Sequence, residues 1–103
     1  MKVQSSIIEN KYLRVRSINI GACLYEVYDK QKKINLILNL GSKKNYSNKN
    51  FYVGATCGRY AGRISNSRFK IKQKIYKLDG NEGRNTLHGG KIGFDRLEWK
   101  IYH

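Results

Sequence analysis

The sequence predicts an all-β fold, an antiparallel β-sandwich, and three observations carry that prediction. Short apolar–polar alternations recur along the chain with turn-forming residues between them. Eight Tyr, three Phe and one Trp in 103 residues suit a packed β core. No stretch shows a convincing helical period, and no segment repeats. The length allows one domain of modest size.

The elements are justified in order. Residues 13–20 alternate, with Leu13 and Val15 on one face and Ile18 and Ile20 on the other. That change of phase predicts a bulge or bend at Ser17. Gly21 and Ala22 interrupt, and residues 23–28 form a second strand. Residues 29–33 are a polar turn. Ile34, Leu36, Leu38 and Leu40 alternate with Asn35, Ile37 and Asn39, which predicts a half-buried strand. Residues 41–50 form a Lys/Asn-rich loop, and residues 51–56 a short apolar strand. Residues 68–72 and 75–78 form a hairpin across Gln73 and Lys74. Residues 79–85 read as a turn-rich loop. Leu97, Trp99 and Ile101 mark a last strand, running to the end of the sequence as an uncovered edge.

The formal charge of +14 comes from 21 Lys and Arg against 7 Asp and Glu. Such a balance raises nucleic acid as a partner. However, Lys, Asn and Ile fill 35 of the 103 positions, and the lysines are scattered. That is a compositional bias rather than a binding patch, so nucleic acid ranks as an unlikely partner. No apolar run is long enough to span a bilayer, and the first residues lack the apolar core of a signal peptide. Cys23 and Cys57 are isolated, and a reducing, cytoplasmic setting is the expectation.

Eight of the ten glycines fall between Gly54 and Gly93, together with Arg59, Arg63 and His88. Arg63 and His88 are the candidate site residues. Near neutral pH an imidazole can donate or accept a proton. A guanidinium is a permanent charged fork able to hold several oxygens. Together they suit a polyhydroxylated ligand. Spacing alone leaves the alternative that His88 caps a loop and Arg63 is solvated. Residues 85–92 come near a phosphate-loop pattern but lack its first Gly and its closing Ser/Thr. Cys23, Cys57, His88 and His103 lack metal-ligand spacing, so a metal is not expected. Asp95 and Glu98 read as surface carboxylates.

The string Gly54-Ala55…Gly58-Arg59-Tyr60-Ala61-Gly62-Arg63-Ile64 resembles the signature of the aldose 1-epimerases, or galactose mutarotases. So does Phe69…Tyr76-Lys77-Leu78…Asn81-Glu82-Gly83-Arg84-Asn85-Thr86-Leu87-His88-Gly89-Gly90…Gly93-Phe94-Asp95…Trp99. Asn19-Ile20-Gly21-Ala22 and residues 35–40 are similar to that family's opening strands. Order, gaps and residue types agree over about residues 18–99.

The resemblance implies the N-terminal part of a single β-sandwich domain over residues 1–103, of the galactose mutarotase type. It implies an isomerase that interconverts the α and β anomers of aldoses such as galactose or glucose, without a cofactor. Arg63 is then expected to bind sugar oxygens, and His88, as the catalytic residue, to bond near the ring oxygen and help to position or protonate it. Gly62 departs from the pattern, which usually has Asn there. The family's second histidine, sugar-binding aspartate and glutamate base lie further along than residue 103. The 103 residues are therefore expected to be inactive alone, with the missing C-terminal part of the fold as a partner. A non-catalytic carbohydrate-binding β module is the alternative, and a basic nucleic-acid binder ranks third.

Overall fold

The computed structural model describes residues 2–47 and 52–103. Residues 48–50 of the expected polar loop, and Phe51 of the expected strand after it, lie outside the described residues. Every strand pairing given by the structure is antiparallel, and among the described residues there is no α-helix. The chain divides into two compact units, Met1–Thr56 with Asp95–His103, and Cys57–Phe94.

The first unit is a meander. Strands β1 (Ser5–Glu9), β2 (Leu13–Ile18), β3 (Cys23–Asp29) and β4 (Ile34–Asn35) pair in sequence order. The Asn10 side-chain oxygen accepts from the backbone N–H of Tyr12 and Leu13, which closes the β1–β2 connection. β1 was not legible, because adjacent Ile7 and Ile8 break alternation and both are exposed. The register slips between Arg16 and Ser17, where a bulge is expected. The extra residue, however, is on β3: Arg16 faces Glu26 and Ser17 faces Leu24, leaving Tyr25 unpaired. The Tyr25 ring meets Tyr46 edge-on at 5.7 Å, and its hydroxyl donates to the Gly41 carbonyl.

Ile18, Ile20, Cys23 and Tyr46 form the core, with Val3, Tyr25, Leu40 and Ala55 packed on it. Asn19 is 1% exposed yet satisfied. Its Oδ1 accepts from Gln4 N–H at 2.8 Å, and its Nδ2 donates to the Lys2 carbonyl at 3.0 Å and to Glu98 Oε1 at 3.3 Å. One buried amide thereby ties the start of the chain to its last segment.

Three expected strands are corrected. Residues 34–40 stay in the ladder only through Asn35, and Leu38 is 85% exposed. The asparagines take over from the backbone. Asn35 Oδ1 accepts from Val27 N–H, Asn39 Nδ2 donates to the Tyr25 carbonyl, and Asn39 Oδ1 accepts from Gly41 N–H. Tyr52 to Thr56 turns instead of extending, with Ala55 N–H bonded to the Tyr52 carbonyl at 3.2 Å. The last strand reduces to one bridge, Ile20 to Glu98, flanked by Gly21 N–H to Leu97 O and Trp99 N–H to Asn19 O. Asp95 is also corrected. The short 3-10 turn Phe94–Arg96 buries it to 2% exposure, so it is no surface carboxylate.

In the second unit, β5 (Arg63–Ile64) pairs with β8 (Thr86–Leu87), and β6 (Arg68–Ile71) with β7 (Lys74–Lys77). The expected hairpin forms one residue earlier, with Lys72 and Gln73 as its two-residue loop. Lys72 takes the positive φ (53°) that such loops favour. Phe69 faces Tyr76, their rings stacked at 5.2 Å.

Candidate functional site

The site grows from the β5–β8 ladder. Leu87 lies opposite Arg63 and Thr86 opposite Ile64. Both backbone groups of Leu87 are taken from the far side by Asn81: Leu87 N–H donates to Asn81 Oδ1 at 2.7 Å, and Asn81 Nδ2 donates to Leu87 O at 2.9 Å. Arg63 and Leu87 are thus a non-hydrogen-bonded pair, the type whose side chains stand closest. Thr86 is fully buried, and its hydroxyl donates to the Asp79 carbonyl at 2.7 Å. Two side chains that look like ordinary loop residues therefore hold β8 in place.

His88 follows directly. Its φ of 48° takes it out of the strand. Its N–H still donates to the Gly62 carbonyl at 3.0 Å, as a continued ladder would. The return bond differs: Gly62 N–H donates to His88 Nδ1 at 3.0 Å. The imidazole occupies the acceptor place that the His88 carbonyl would otherwise fill. With Nδ1 accepting, the neutral ring carries its proton on Nε2. The ring is therefore set by backbone geometry as a half-buried donor, one residue from Arg63 on the facing segment.

Behind it, Gly89 has φ 92°, and a Cβ there would lie 1.9 Å from the Gly58 carbonyl oxygen. Only glycine allows the two chain segments to approach so closely. Gly58 O in turn accepts from Phe94 N–H at 3.0 Å, and Arg59 sits over the Phe94 ring at 5.5 Å.

Arg63 is not free. Its Nε donates to Glu82 Oε1 at 2.5 Å and its Nη2 to Glu82 Oε2 at 2.9 Å, a bidentate pair. The hydrogen bond from Arg63 holds the Glu82 carboxyl below its ordinary 4.5 against some desolvation, and the charge of Arg63 acts the same way. The same bond raises Arg63 above its ordinary range.

The structure thus brings Arg63 and His88 together on paired segments, and adds Glu82, which the sequence reading missed. Its signal was the Asn-Glu-Gly turn inside the motif, where an acid reads as solvated. Among the described residues, no group of three or more His, Cys, Asp or Glu could hold a metal, and no helix is long and apolar enough to cross a membrane.

Antiparallel strands without helices among the described residues, joined by glycine-rich loops, place the chain with the galactose mutarotase-like β folds. The crystal structure of an aldose epimerase homologue from C. elegans superposes at a TM-score of 0.85 with 30% identity, covering 99% of this chain and 33% of that one. The aldose 1-epimerase family model matches residues 4–103, and the chain belongs to that family. It is 38% identical over 100 residues to the galactose mutarotase of Sus scrofa, covering 94% of this chain and 29% of that protein. It is 38% identical over 94 residues to the aldose 1-epimerase of Haemophilus influenzae, covering 86% and 26% respectively. The chain therefore spans less than a third of these curated relatives.

Proposed function

We propose that this chain carries one corner of an aldose site, and that with the remainder of the family fold it interconverts the α and β anomers of galactose or glucose. In this reading the 103 residues are the N-terminal part of a single β-sandwich domain, in a cytoplasmic setting that suits the Cys23 and Cys57 thiols. The observation that carries the reading is the bond from Gly62 N–H to His88 Nδ1, which makes Nε2 the proton-bearing nitrogen of the neutral ring, on the segment that pairs with that of Arg63.

Anomerisation needs a base for the anomeric hydroxyl proton and an acid for the ring oxygen. The ring opens, the C1 group rotates, and closure on the other face reverses both transfers. His88 Nε2–H supplies the donor for the ring oxygen, and the outer N–H groups of Arg63 hold hydroxyl oxygens. The nearby carboxylate, Glu82, makes a poor base, because its charge is engaged by Arg63. Donor without base favours sugar binding without turnover by the 103 residues alone. In a polarimetric assay, galactose is expected to mutarotate at the uncatalysed rate with this chain. Full catalysed anomerisation by the purified 103 residues would overturn that expectation. Millimolar galactose leaving the chain's NMR spectrum unchanged would overturn the sugar reading itself.

A further inference from the structure

We infer that Glu82 is a positioning residue: it locks the Arg63 guanidinium in one orientation and leaves a single edge for the ligand. The inference rests on the aldose reading above. Arg63 has five N–H donors. Glu82 takes Nε–H and one Nη2–H. Three remain, the two on Nη1 and the second on Nη2. Those facing away from the side-chain stem form a fork whose spacing suits two neighbouring oxygens, as on adjacent carbons of a sugar ring.

The carboxylate can do this because its own backbone is held. Glu82 and Asn85 bridge across Gly83 and Arg84, with Glu82 N–H to Asn85 O at 3.1 Å and Asn85 N–H to Glu82 O at 2.9 Å. Asn85 Oδ1 accepts from Asn66 N–H at 3.2 Å, which anchors that turn to the segment after β5. Asn81, one residue earlier, is clasped to Leu87. Glu82 therefore reaches Arg63 from a turn bonded to β8 and to the segment that follows β5.

Two consequences follow from charge and entropy. Arg63 is 64% exposed at its side chain, and without Glu82 it would have to be immobilised by the ligand itself. The pair is also electrically neutral, so it offers hydrogen bonds to uncharged oxygens instead of a net cation to an anion.

The test uses the 103-residue chain, the Glu82→Gln variant, and two sugars of one ring, galactose and galacturonate. In the wild type, the Arg63 Nε–Hε resonance is expected to be shifted and slow to exchange at pH 7, and in the variant it loses both properties. Galactose binding is expected to weaken about fivefold in the variant, the scale set by immobilising one long side chain. Galacturonate is expected to gain on galactose by severalfold, because the carboxylate that neutralises Arg63 is gone. The β6–β7 amide resonances report whether the variant folds. An unchanged preference between the two sugars, or an Arg63 resonance that is ordinary in the wild type, would overturn the positioning role even where galactose binds. An intact Arg63 signature without galactose binding would instead sink the sugar reading.

Discussion

The meander β1–β4 and the glycine-rich unit Cys57–Phe94 solve the same problem in opposite ways. In the meander, long ladders satisfy the backbone and an apolar cluster around Ile18, Ile20 and Cys23 supplies stability. Its one buried amide, Asn19, is fully bonded. In the glycine-rich unit the ladder β5–β8 is two residues long, and side chains finish what the backbone leaves open. Asn81 clasps Leu87, Thr86 holds Asp79, and His88 stands in for its own carbonyl. The difference teaches that side-chain acceptors displace backbone acceptors where a polar side chain must be held in a fixed direction. A continued ladder would have turned the His88 ring away from Gly62.

Substitutions break that contrast in graded steps. Asn19→Leu orphans partners on Gln4, Lys2 and Glu98, and is expected to cost about 4 kcal/mol in urea unfolding of the whole chain. Gly89→Ala places a methyl against Gly58 O, and is expected to cost about 3 kcal/mol in the same assay. Its amide exchange should rise at Gly62 and His88 while the β2–β3 amides stay protected. Arg63→Ala is expected to weaken galactose binding about tenfold in titration while changing unfolding little, because the ion pair it loses with Glu82 is exposed to solvent. Leu38→Asn, at an 85% exposed position, is expected to shift stability by less than about 0.5 kcal/mol. A large loss there would revive the half-buried strand.

The legible parts of the fold are those where side-chain alternation agrees with backbone pairing. β2, β3 and the β6–β7 hairpin show it, and even the slip at Arg16–Ser17 leaves a phase change in the sequence. Residues 34–40 alternate as cleanly, but Asn35 and Asn39 bond the neighbouring backbone themselves, and hydrophobic periodicity does not register that competition. β1 failed for the reverse reason: its pairing comes from the Asn10 connection, and its isoleucines are exposed. At the site, Arg63 and His88 stand out by residue type among glycines. Glu82 does not, since only the fold shows that its carboxylate meets Arg63.

The most direct measurement is a galactose titration of the 15N-labelled chain followed by NMR. The account predicts concerted shifts at Gly62, Arg63, Leu87 and His88, with the β6–β7 amides still. Shifts scattered elsewhere, or Arg63 and His88 responding at unrelated galactose concentrations, would contradict a shared sugar-holding corner.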